Sequence, residues 1–218
     1  MARIEGGAMR CSRILRYAVA LVPLFGGLAQ ADDIVTSWNS VHLPPSPPLT
    51  PVTVDPAHTA LLVLDFDTGN CTTTQRPTCF ASLPKVAALL DAARRHKMMV
   101  VYSTTPTGSI KSVPPMLAPK GEETVVQSGV DKFLGTKLEA ALKAKHIHTV
   151  IVTGTVAHGA VLYTASAASL RGFKVAVPVD TLSAPDPFAE LSATWILLNA
   201  PASVAKNIHV TRSDMVQF

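Results

Sequence analysis

Apolar and polar positions alternate in a pattern that predicts strand–helix units from residue 58 onward. Residues 59–64 (TALLVL) form an unbroken apolar run that ends on Asp65, as expected of a strand covered on both faces. Over residues 83–97 the apolar positions Val86, Leu89, Leu90 and Ala93 recur at helical spacing, with Ser82 as a fitting N-cap and Pro84 in the first turn. A second strand is expected over 98–102, a second helix over 133–145 and a third strand over 149–153. The third helix, 158–171, stops at Gly172. A fourth strand over 174–179 runs into Asp180, followed by a helix over 188–199 and a short last strand over 208–210. Residues 103–131 hold four prolines and read as a long loop, a length that points to a site or an interface.

Units of this kind predict an α/β protein: a three-layer Rossmann-like sandwich with a mainly parallel central sheet of about five or six strands and helices on both faces. Ligands of such sheets gather beyond the carboxyl ends of the strands. Asp65, Thr104, Thr105, residues 154–160 and Asp180 all fall at that edge. Upstream, LPPSPPLTP cannot form a helix or a central strand, because its prolines lack N–H donors and fix φ. Residues 32–57 are therefore expected to be an extended arm, and 58–218 the folded domain.

The first 31 residues have a different pattern. Arg10, Arg13 and Arg16 precede an apolar run over 17–29, and Ala29-Gln30-Ala31 offers a small-x-small cleavage site. This is the layout of a signal peptide, with too short an apolar run for a membrane span. A periplasmic or secreted location follows, with no membrane association once the leader is removed. Removal also changes the charge balance: the formal +4 of the whole chain becomes 15 basic against 14 acidic residues. No basic stripe with interleaved aromatics remains, so no nucleic-acid partner is expected. Cys11 leaves with the leader, and Cys71 and Cys79 stay as an even pair. In an oxidising compartment they read as a disulfide, with a catalytic thiol or a metal ligand as the other options.

Several short motifs, taken in order, resemble the isochorismatase-like hydrolases, a superfamily that includes nicotinamidases and other cysteine amidohydrolases. LLVLDFD matches the family's first strand and places Asp65 at the catalytic aspartate; the glutamine common two positions later is Asp67 here. Phe133-Leu134-Gly135-Thr136-Lys137-Leu138 matches Phe-x-Gly-Thr-x-Leu. Gly154, the helix after it, Arg171-Gly172-Phe173 and VAVPVDTLSA match the later landmarks. The resemblance implies a non-prolyl cis peptide near Thr155-Val156, with the N–H groups of Val156 and Ala160 aimed at the substrate. It also implies dimers or larger homo-oligomers.

The departures bear on chemistry. The nucleophilic cysteine of the family falls on Ala160, and the threonine three residues before it on Ala157. The family's lysine lies a few residues upstream of Phe-x-Gly-Thr, whereas Lys132 directly precedes Phe133; it reads either as that lysine or as a surface residue ahead of a helix. The Asp-x-His metal pattern after the second strand is replaced by STTPTGS, and His146 and His148 have no apparent third ligand, so no metal and no cofactor are expected.

Without sulfur at position 160, a thioester cannot form there. A branch of the same superfamily needs only a carboxyl group that moves a proton and a cation that orients the substrate. The candidates are Asp65 and Lys132 as catalytic residues, and Asp67, Val156, Ala157, His158 and Ala160 as substrate-binding ones. Asp67 has a second reading as a solvated loop carboxylate or cap, and His158 as a helix-start residue without a role. Tyr163 and Trp195 read as core or interface aromatics. The expected function is an exported hydrolase acting on a small polar substrate without a cysteine nucleophile. The alternative is a non-catalytic ligand-binding protein of the same fold.

Overall fold

The structure of the protein, a computed structural model, describes residues 33–121 and 123–218. The leader expected over 1–31 lies outside these residues. Two compact units divide the chain, one ending at Pro45 and one running from Ser46 to Phe218. In the first, Asp33 caps a single helical turn, α1 (Ile34–Ser37), by accepting the Thr36 N–H at 2.9 Å. An irregular arm was expected there; a local side-chain cap is enough to make the turn.

The second unit carries strands β1 (Val52–Thr53), β2 (Thr59–Leu64), β3 (Met99–Thr104), β4 (Thr124–Gln127), β5 (Thr149–Thr155), β6 (Lys174–Pro178), β7 (Leu182–Ser183), β8 (Ile208–Thr211) and β9 (Val216–Gln217). Its helices are α2 (Pro77–Arg95), α3 (Leu138–Ala144), α4 (Leu162–Leu170), α5 (Pro187–Asn199) and α6 (Ala202–Ala205). Among the described residues a seven-stranded, all-parallel sheet runs β4-β3-β2-β5-β6-β8, with β7 pairing the end of β5. Chain order reverses between β2 and β5, the kind of switch point where open parallel sheets leave a crevice.

Strand β2 explains the layering. All six of its residues are buried, and alternate ones serve opposite faces. Leu61 and Val63 pack with Leu83, Val86 and Leu90 of α2, whereas Ala60, Leu62 and Leu64 join a cluster built from α3, α4 and α5. Cys71 and Cys79 are joined in a disulfide with a Cα–Cα distance of 5.1 Å, so neither is available as a thiol or a ligand.

Several boundaries differ from the sequence reading for identifiable reasons. Helix α2 starts at Pro77, not after Ser82. Ser82 instead turns its hydroxyl back onto the Cys79 carbonyl at 2.8 Å, and Pro84 sits inside the helix without an N–H for the exposed Phe80. The stretch read as loop contains the edge strand β4, only four residues long. Helix α3 starts at Leu138 rather than 133, because Gly135 adopts φ 70° and Thr136 bonds the Lys132 carbonyl at 2.6 Å, holding 133–137 in a turn. The helix after β5 opens with a π turn, Ala157–Val161. Part of the proline arm is stitched down: β1 pairs with β9, and the Thr50 carbonyl accepts the Thr211 hydroxyl at 2.8 Å. Tyr163 and Trp195 are about half exposed, not core.

Candidate active site at the strand ends

Asp65 follows the last residue of β2. Strand alternation alone would send its side chain to the α2 face with Leu61 and Val63. Instead it adopts φ 54°, the left-handed region that aspartate tolerates better than most residues. Its N–H donates to the Ser103 carbonyl at 3.2 Å, and its Oδ1 accepts the Ser103 hydroxyl at 2.7 Å. The turn carries the carboxylate over the sheet edge to the face where Ser103 and Lys132 lie. Such a conformation persists when neighbours hold it from several sides, a condition met more often at functional sites than elsewhere.

Lys132 is fully buried, and its Nζ lies 2.7 Å from Oδ2 of Asp65. The same ammonium donates to the Ser128 carbonyl at 3.1 Å, and the Lys132 N–H reaches Thr164 Oγ1 on α4 at 3.2 Å. Of the two sequence readings of this lysine, the surface one is overturned. A buried ammonium is tolerated only when paired, and Asp65 is the partner. Asp65 thus accepts on both oxygens, which fixes the orientation of its carboxylate at the strand end.

Beside it, β5 ends at Gly154-Thr155. Gly154 is paired with Leu64 at φ 155°, and a Cβ there would stand 2.6 Å from the Leu64 Cβ and 2.7 Å from its carbonyl oxygen. Only glycine lets the two strands stay this close, directly before Asp65. The Thr155–Val156 peptide is cis. Ala157 and Ala160 are buried, Val156 is half-buried and His158 is exposed.

Asp67 has the duties of a loop clamp. One carboxylate oxygen accepts the Gly69 N–H at 2.7 Å and the other accepts the Ser112 hydroxyl, joining two loops. Both loops line a cleft of about 60 Å³ that also includes Asp65, Ser103 and Thr105. Lys132 and residues 156–160 lie outside that lining, so Asp65 stands between the cleft and the β5 end. Asp180 is likewise structural, its two oxygens accepting the N–H and the hydroxyl of Ser213 at 2.8 Å each.

Two residues of this edge were not legible from sequence. Ser103 carried a weak signal, as the residue before Thr104 at a strand end. Arg76, inside the disulfide-closed loop, donates from Nη1 to Thr155 Oγ1 at 2.6 Å. Its signal was the loop itself: two cysteines flanking a lone cation, in the segment between Asp65 and α2.

The fold and site define a parallel α/β protein with a buried Asp–Lys pair at the switch point of its sheet. The chain matches the family model described as the isochorismatase domain over residues 59–205 and belongs to that family. It is 33% identical over 94 residues to N-carbamoylsarcosine amidase from Arthrobacter sp., a match covering 40% of this chain and only 36% of that protein. In structure it is similar to an isochorismatase from Pseudomonas putida KT2440, with a TM-score of 0.65 and 18% identity over 76% of this chain and 93% of that one. N-carbamoylsarcosine amidase from Thermoplasma acidophilum has a TM-score of 0.62 and 23% identity over 72% and 96%. At these identities the two structures show the fold alone.

Proposed function

We propose that this chain is an exported isochorismatase-family hydrolase that acts on a small polar substrate without a cysteine nucleophile. The single observation behind this reading is the Asp65–Lys132 pair, fully desolvated on the lysine side and only 8% exposed on the aspartate side. A purely structural ion pair in such a place gains little over apolar packing, whereas a carboxylate held at the crevice edge supplies proton transfer. In the proposed reaction Asp65 takes a proton from an attacking water and returns it to the leaving group. Lys132 holds the carboxylate in place, and the N–H groups of Val156 and Ala160 are the candidates to receive the oxygen that gains charge.

The disulfide supports the export reading, since such bonds persist in oxidising compartments. Phe188, Leu191 and Trp195 lie exposed at i, i+3 and i+7 on α5, which supports self-association into a homo-oligomer. A second reading, a non-catalytic ligand-binding protein, is favoured by the alanines at 157 and 160. Mass spectrometry of a panel of vinyl ethers, small amides and lactams incubated with the protein separates the two. A new product peak supports the hydrolase, and bound but unchanged compounds support the binder.

A further inference from the structure

We infer that Arg76, Thr155 and Ser183 form an anion subsite beside Asp65 that seats a carboxylate-type oxyanion of the substrate. This names the substrate class of the site proposed above, and it rests on that reading for the chemistry but not for the binding.

Three observations carry it. Leu64 pairs with Gly154, so Asp65 and Thr155 leave neighbouring strands side by side, one inter-strand spacing or about 4.8 Å apart. Thr155 in turn pairs with Ser183 of β7, and partners in a parallel ladder share a face. The Thr155 hydroxyl is the one side-chain partner of the Arg76 guanidinium among the described residues, at 2.6 Å. Ser183 is fully buried, and its Oγ has no hydrogen-bond partner among the described residues. A guanidinium and two hydroxyls therefore meet at the end of β5, the strand next to the one that Asp65 follows, and one hydroxyl is an orphan that a buried site does not tolerate without reason.

Arg76 itself is half-buried, and among the described residues no carboxylate pairs with it. Burial holds its guanidinium below the usual arginine range, the mark of a cation withdrawn from water without a counter-charge. Its planar fork suits a carboxylate better than the single Thr155 oxygen it now meets. The backbone that carries it is fixed at three points. The Cys71–Cys79 bridge closes the loop, Arg76 N–H donates to the Thr72 carbonyl at 3.2 Å, and Thr78 donates to the Ala184 carbonyl at 3.2 Å. The disulfide thus has a functional part: it delivers one cation to the strand ends.

The test uses the protein lacking its leader and a matched pair of probes, N-acetylglycine and its neutral amide N-acetylglycinamide. The arginine Nε–H signal of Arg76, identified by its loss in Arg76→Gln, is followed by NMR during each titration. The carboxylate is expected to shift it saturably and the amide to leave it in place. Arg76→Gln should weaken carboxylate binding measured by calorimetry by about 10- to 100-fold. Arg76→Lys should recover only part of it. Asp65→Asn must keep the carboxylate response, which separates this inference from the catalytic reading: the subsite stands if Arg76 responds in a protein that turns nothing over. An Arg76 signal indifferent to the carboxylate, or equal response to acid and amide, overturns it and leaves the arginine as a loop tether.

Discussion

Lys132 Nζ and Asp65 Oδ2 lie 2.7 Å apart although 67 residues separate them in the chain. The lysine is sealed under the turn that precedes α3, and the aspartate ends the central strand. Removing one member leaves the other without its counter-charge, so this pair is a requirement of the fold as well as of the site. Lys132→Met should leave Asp65 unpartnered and destabilise the protein by about 3 kcal/mol. The midpoint of urea unfolding against wild type checks this. An unchanged midpoint would mean that the charge is compensated elsewhere.

Gly154 holds β5 against Leu64. Gly154→Ala places a methyl group within 2.7 Å of the Leu64 carbonyl, at a backbone angle that side chains rarely adopt. The expected result is a loss of about 1–3 kcal/mol in stability from overpacking, together with a loss of turnover as Asp65 is displaced. Thermal melting and a rate measurement on the same preparation read both effects.

The Cys71–Cys79 bridge closes a loop with a sequence separation of 8. Replacing both cysteines by serine should cost about 2–3 kcal/mol, the loop-closure entropy of a ring this short. It should also loosen Arg76, lowering the affinity for N-acetylglycine more than that for its amide. Thiol titration of the unreduced protein without its first 31 residues is expected to find no free thiol.

Tyr102 is fully buried, donates its hydroxyl to the Leu117 carbonyl at 2.7 Å and receives Arg94 at 3.1 Å. Burial pushes its phenol up to about 12 from an ordinary 10.0. Because the folded value is raised, the neutral phenol contributes stability that is fully present below pH 10 and is lost as pH rises towards 12. The loss is on the order of 2–3 kcal/mol. Phenolate absorbance, compared with a Tyr102→Phe variant, should show Tyr102 ionising only near unfolding; ionisation of Tyr102 near pH 10 in the folded protein would contradict the burial argument.

The parts of this molecule that were legible in sequence are those fixed by local pattern. Strand β2 announced itself as the run TALLVL followed by a carboxylate, and Gly172 marked the end of α4 with its left-handed φ of 87°. What was illegible depends on tertiary pairing. The start of α2 turned on two prolines, each fit for a first turn, and only the non-helical backbone of Arg76 before Pro77 decides between them. Strands β4 and β7 are too short to carry a period of their own, and exist because a longer neighbour offers its edge. In the site, Asp65 was readable because a charge ending a buried strand is hard to explain otherwise. Lys132 looked like any lysine ahead of a helix, since its burial depends on Asp65 and Thr164, both far from it in sequence. Arg76 could be connected to Asp65 only once β2 and β5 were known to be neighbours.

The central claim is that Asp65 moves the proton in a reaction that needs no thiol. Turnover of the substrate found by screening should be compared in wild type, in Asp65→Asn and in the double serine variant of Cys71 and Cys79, with melting curves confirming that each is folded. The rate should fall by about 10²- to 10⁴-fold in Asp65→Asn and persist in the serine variant. Full activity in Asp65→Asn, or activity abolished with both cysteines while the protein stays folded, would contradict the account.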